Sequence, residues 1–346
     1  MYGNIKRVAL AAATALALTA CDSEVSPRDG DGDEEEGWTP ATSENGVLLN
    51  SFRLNSFRLN SFRLNGDQGS EDFIQIIGVD LPGSQVVKDS WIDGSELRVV
   101  TRKGKLLTGH SLTGTTIRFA VQEDGVEHVR EVKIAGVATA DAKHGKHDKH
   151  GKHKGSKAGH EDAGTVLYDL RIRELPNLNW GPLCGVDGDG DPIPAVLLTD
   201  TWDPDTGARV SPRPSDAVTL ACVDAALGKC VVWGYEPWAS VDGEPLADYH
   251  QACTRLVRAD YCGSGVSYTK EGTPIHVLDT IGIEDVDPVA EYVVEAEWGP
   301  DGAVCLNADN TRIDDVEVAC QELPACGESF ASGGLIQSGK IVGEVQ

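Results

Sequence analysis

Sulfur and imidazole side chains carry most of the chemical information in this sequence. It has nine cysteines: Cys21, Cys184, Cys222, Cys230, Cys253, Cys262, Cys305, Cys320 and Cys326. An odd number in an exported chain asks for one that stands apart. Cys21 does so, because the other eight all lie in the C-terminal half. Structural zinc sites use paired C-x-x-C spacing, which these eight lack. An even set confined to one region reads as a disulfide framework formed in an oxidising compartment.

A second set, His144, His147, His150 and His153, recurs every three residues among lysine and glycine. In a polyproline-type conformation that period aligns the imidazoles about 9 Å apart. Neighbours then share a metal ion only if the chain folds back. The tract is either a solvated basic linker or a flexible chelator of zinc, copper or nickel, with those four histidines as ligands.

Asp187-Gly188-Asp189-Gly190-Asp191 resembles the first half of a calcium loop. It has Pro192 at the sixth place and Leu198 at the twelfth, where the loop wants Gly and Glu. An acidic turn is the competing reading. His250 stands one helical turn from Cys253 and near Asp260, so a thiol with a histidine base is conceivable, unless the thiol is bridged. His276, Asp279 and Asp260 form a hydrolytic set only if the fold gathers them, with no nucleophile elbow or metal-ligand spacing in support. No catalytic residue and no cofactor is assigned, and a non-enzyme is the favoured reading.

The elements that position these residues begin with an export signal. Lys6 and Arg7 precede an apolar run over residues 8–18, which ends in Leu18-Thr19-Ala20-Cys21. The run is too short for a membrane span of about twenty residues. It looks like the lipobox of bacterial lipoproteins, in which the cysteine accepts a diacylglycerol and, after cleavage, a further acyl chain such as palmitate. Residues 1–20 are then a signal peptide, and two or three acyl chains on Cys21 suffice for stable membrane attachment. Asp22 resembles an inner-membrane retention signal in enteric bacteria, a rule that other lineages do not follow uniformly.

Residues 21–48 include an acidic run from Asp29 to Glu36 and form a solvated tether. Its extended reach is about 80 Å at roughly 3.3 Å per residue. Residues 49–66 hold a tandem SFRLN repeat, read as an extended segment lying on the next domain. Its five-residue period matches neither a helix nor a strand, and it fits pentapeptide-repeat solenoids poorly.

Residues 67–175 read as a small antiparallel β-domain with short β-branched runs at 72–77, 96–100, 116–121, 129–134 and 165–172. A hairpin turn falls at 122–125, and the His/Lys/Gly-rich tract 142–160 is an insertion. From about residue 180 the composition shifts to Trp, Cys, Pro and Gly. Strands are expected at 218–222 and 230–235, with a helical turn between them. The clearest helix runs over 246–261, where Leu246, Tyr249, Cys253, Leu256, Val257 and Tyr261 make one apolar stripe. A continuous helix would put Cys253 and Cys262 about 13 Å apart. They should not pair, and one of them should reach the segment carrying Cys222 and Cys230. Two of Cys305, Cys320 and Cys326 are expected to pair. Residues 331–346 read as a tail.

Gln251-Ala252-Cys253-Thr254-Arg255, Arg258-Ala259-Asp260-Tyr261-Cys262-Gly263 and Glu271-Gly272-Thr273-Pro274-Ile275 resemble the ADYC-domain family, lipoproteins found mainly in myxobacteria. The segments 227–235 and 298–305 look like its other anchors. The resemblance covers roughly residues 180–330 and implies no activity.

The whole reads as mainly β with minor α: a small antiparallel β-domain, then a disulfide-stabilised β-rich domain with one main helix. The formal charge of −25 on 346 residues argues against nucleic acid and against direct adsorption to anionic lipid. The expectation is a lipid-anchored cell-envelope protein, with the outer membrane or cell surface favoured over the inner membrane. Its membrane contact is the lipid on Cys21. A non-catalytic binding or structural module is expected, with a protein or glycan as ligand. The alternatives are a hydrolase with its site in the C-terminal domain and metal binding by the His tract. Trp202, Trp233, Trp238 and Trp298 are the candidates for an exposed recognition patch.

Overall fold

The computed structural model describes residues 47–49, 62–63, 74–123, 126–140, 164–203, 205–210, 217–284, 292–313, 317–320 and 323–341. Residues 1–46, with Cys21 and all of the expected tether but Val47 and Leu48, the first two SFRLN copies and the four tract histidines lie outside them. The strands of the first half are β1 (Val47–Leu49), β2 (Phe62–Arg63), β3 (Ile74–Asp80), β4 (Val87–Asp93), β5 (Glu96–Thr101), β6 (Leu106–Leu107), β7 (Thr116–Glu123), β8 (Val126–Ala140) and β9 (Thr165–Glu174). There follow β10 (Gly181–Pro182), β11 (Ala195–Leu198), β12 (Ala217–Cys222), α1 (Ala226–Val232), β13 (Ser240–Val241), β14 (Glu244–Pro245) and α2 (Ala247–Arg258). The chain closes with β15 (Pro274–Asp279), β16 (Tyr292–Gly299), β17 (Gly302–Leu306) and β18 (Ile336–Ile341). The architecture is mainly β, as the sequence predicts.

An eight-stranded sheet runs β2-β12-β11-β9-β8-β7-β3, with β10 beside β9. Glu123 pairs with Val126, so the expected β7–β8 hairpin has a two-residue loop. This sheet crosses the expected break near residue 175: β11 and β12 join strands from the first half through Ala195 and Tyr168. Residues Gly37–Gln346 form one compact unit.

All four residues of β11 are buried, because both faces of this sheet are covered. On one face Tyr168, Leu170, Leu197 and Leu220 join Leu97, Val99, Leu107 and Leu112 from the small β4-β5-β6 sheet and its flank. On the other face Leu167, Val196 and Leu198 pack on Leu227 and Val231 of α1. These two α1 residues are four apart and share one helix face, while Ala226 and Cys230 share another, turned toward α2. The β-branched run 230–235 reads as a strand, yet α1 carries Cys230 and Val231. Packing on two sides overrides local propensity here. Gly228 permits the close approach, since a Cβ there would meet the Cys222 carbonyl oxygen at 2.4 Å.

The second sheet runs β1-β15-β18-β16-β17. The segment expected as a tail supplies β18, which sits between β15 and β16 in this sheet. Its Ile336 joins Ile275, Val277, Ala296 and Trp298 against α2.

The eight cysteines stand in four pairs at disulfide distance: Cys184 with Cys222, Cys230 with Cys253, Cys262 with Cys320, and Cys305 with Cys326. Their Cα separations of 5.0–5.9 Å fit a bridge. Cys253 and Cys262 do not pair; Cys253 instead ties α2 to α1, and Cys305 joins Cys326.

Candidate functional site

The end of α2 gathers buried polar groups, among them Arg255, Arg258 and Asp260, and their placement begins with how the helix stops. The helix closes on Ala259, four residues before Gly263, with Ala259 in the left-handed conformation at φ 50° and ψ 41°. Its N–H donates to the Leu256 carbonyl at 3.0 Å, and the Asp260 N–H donates to the Arg255 carbonyl at 2.9 Å. That bond pair is the Schellman closure, usually built on glycine. The helix therefore ends before Tyr261.

The closure turns Asp260 inward. Its carboxylate accepts from Arg255 Nη1 at 2.6 Å, the Ser264 amide at 3.1 Å and the Gly265 amide at 2.9 Å. Arg258 stands 3.9 Å away. Gly263 and Gly265 let the loop pass close to its neighbours: a Cβ on either would lie within 2 Å of the Asp301 or Asp205 carbonyl oxygen.

Tyr261 stacks on Trp298 with ring centroids 5.2 Å apart, and its hydroxyl donates to Glu295 at 2.6 Å. Glu295 also receives Arg312 Nη2 at 2.6 Å, the Arg312 amide at 2.9 Å and the Ser338 hydroxyl at 2.6 Å. Arg312 sends Nη1 to the Leu256 carbonyl at 2.7 Å. It thereby gives a second donor to a last-turn carbonyl that already accepts the Ala259 N–H. Burial pushes the Glu295 carboxyl up, but the Arg312 guanidinium and the two hydroxyls hold it below its ordinary value. Burial and the neighbouring Glu295 charge push the Tyr261 phenol far up, so it stays a neutral donor. Cys262 finishes the motif by binding Cys320.

These segments match a known family. The ADYC-domain profile fits residues 109–312 of the chain. The chain belongs to the ADYC-domain family. No curated protein and no solved structure is similar enough to this chain to match it. The profile begins well before the region where the resemblance was legible, so the ADYC domain takes in β7, β8 and β9 as well. The four residues Ala259, Asp260, Tyr261 and Cys262 close the helix, pin the loop, bond to the buried ion pair and cross-link the following chain.

The candidate catalytic groups are held inside the ADYC domain. Cys253 is paired with Cys230, so it is no thiol beside His250. His250 is fully buried, with Nε2 3.0 Å from the Leu227 carbonyl and Nδ1 without a hydrogen-bond partner. Burial drives its pKa down to about 4. Asp279 accepts four backbone amides from residues 281–284 and the Tyr235 hydroxyl at 2.9 Å. Of the trio His276, Asp279 and Asp260, both carboxylates are taken up by amides of their own loops, 281–284 for Asp279 and 264–265 for Asp260. Asp187 spends its carboxylate on the amides of Asp189 and Asp191, at 3.0 and 2.9 Å. Among the described residues no group of three His, Cys, Asp or Glu is placed to hold a metal ion.

Of the four tryptophans expected in a patch, Trp202, Trp233 and Trp298 are core residues, and Trp238 is 36% exposed. Trp202 donates instead to Gln251 at 2.7 Å. The indole of Trp238 lies against the β4–β5 turn, 3.2 Å from where a Cβ on Gly94 would stand. Trp91, in the strand running into that turn, is 41% exposed. Sequence reasoning passed over Trp91 and the pair of Glu295 with Arg312. The signal for Glu295 was present: Glu295 and Glu297 interrupt the apolar run of β16, where a charge needs a partner.

Proposed function

We propose that this ADYC-domain protein is a lipid-anchored, non-catalytic binding or structural module of the cell envelope. The observation that carries the reading is the internal use of its acid, base and sulfur groups. Cys253 is bridged, Asp260 and Asp279 are saturated by internal donors, and His250 is sealed from solvent. A hydrolase or thiol enzyme needs such groups facing a substrate. Four cysteine pairs also suit an oxidising compartment, in keeping with the lipobox-like start. The partly exposed Trp91 and Trp238 are the aromatic surface offered to a protein or glycan ligand.

Two measurements test this. Metabolic labelling with a palmitate analogue should mark the wild-type chain and leave Cys21→Ala unmarked, with loss of membrane association. Thiol titration of the unreduced, denatured chain should find no free sulfhydryl in the eight-cysteine region. Several reactive thiols there, or unlabelled protein in the cytosol, would overturn the proposal.

A further inference from the structure

The strand β2 belongs to a repeat. Phe62 and Arg63 pair antiparallel with Val218 and Ala217 of β12, at the edge of the eight-stranded sheet. Both lie in the third SFRLN copy, residues 61–65, which follows identical copies at 51–55 and 56–60. Strand addition at an edge is held mainly by backbone hydrogen bonds, and side chains set the register. Identical copies therefore fit the edge equally well. Their period is five, an odd number, whereas a strand repeats every two residues. One continuous strand cannot present consecutive copies in the same phase, so occupancy is exclusive.

We propose that the edge of β12 is a docking site for a single SFRLN copy, and that the second copy exchanges with the third. Chain length decides which copies compete. Twelve residues separate β1 from β2 when the third copy docks. Docking the second copy leaves seven, which still span about 23 Å when extended. Docking the first leaves two, with a reach of about 7 Å, so that register is open only if β1 leaves β15 or the two edges lie within that reach. One step moves five residues, about 16 Å of extended chain, from the linker between β1 and β2 to the linker between β2 and β3.

Hydrogen exchange of the β12 amides in the full-length chain is the test. Proline blocks strand pairing, so F62P/R63P removes the third copy alone. Protection of whichever of the Ala217 and Val218 amides faces β2 should stay within about twofold of wild type, because the second copy replaces the third. Extending the change to F52P/R53P and F57P/R58P should lower it at least about tenfold. A free peptide SFRLNSFRLN should then restore it. Loss of protection on changing the third copy alone would overturn exchange. Persistence with all three blocked, or no rescue by peptide, would overturn the docking site. Deleting five residues of the repeat gives the same chain whichever copy is removed and needs no proline. Protection should survive that deletion, and its loss would also refute the proposal. None of these readouts depends on acylation.

Discussion

Around the eight-stranded sheet the core is built from Leu, Ile and Val, and its buried carboxylate Glu131 is held by arginines that reach water. Arg118 is 37% exposed and Arg173 22%. Around α2 the core is of another kind. There Glu295 and Arg312 are each 1% exposed, Asp260 is fully enclosed beside Arg255, and three of the four cysteine pairs lie in that half. Removing one partner of an enclosed ion pair leaves an uncompensated charge, whereas an ion pair open to water contributes little. The two regions should therefore respond very differently to equivalent substitutions.

The largest effect is expected at the enclosed pair. Arg312→Leu strands Glu295 and removes one of the two donors to the Leu256 carbonyl, and it should destabilise the chain by about 3–5 kcal/mol in urea unfolding. A loss below 1 kcal/mol would place this core in the same class as the other. Next comes the α1–α2 bridge. Replacing Cys230 and Cys253 together by Ala opens a link of sequence separation 23 and should cost about 3 kcal/mol.

Acid should act through His250. Its imidazole titrates at about 4 when folded and near 6.5 in an unfolded chain. Between those values the unfolded chain binds more protons, so stability is full above about pH 6.5 and is lost as the pH falls toward 4. At pH 5 the loss should be about 2 kcal/mol relative to pH 7, measured as the shift in urea midpoint. His250→Gln should flatten that slope. The smallest effect is expected at the water-facing pair of the first sheet, where Arg118→Ala should cost about 1 kcal/mol or less, and less still in high salt.

Local patterns in the sequence were readable where a single element decides them. The β-branched runs gave β5, β7, β9 and β12 close to their observed bounds and only the middle of β8, and the apolar stripe gave α2. The polar half of the ADYC core was not readable. Nothing near Glu295 announces Arg312, seventeen residues away, and nothing in the run at 230–235 announces a helix. Ala259 hides the helix end, because left-handed closure is expected of glycine, and Gly263 follows close behind. The segment of β18 looked like a tail because only its two isoleucines are apolar and its partners, β15 and β16, are distant in sequence.

The sequence by itself determined the mainly β class, the main helix, the grouping of eight cysteines and the family motif, since each rests on composition or on spacing within a few residues. Only the tertiary structure decided which cysteines pair, that one sheet spans both expected domains, and that Asp260, His250 and Cys253 are enclosed. Those outcomes depend on contacts between residues far apart in the chain. There the gain from burying charge against charge, or ring against ring, exists only once the layers have come together.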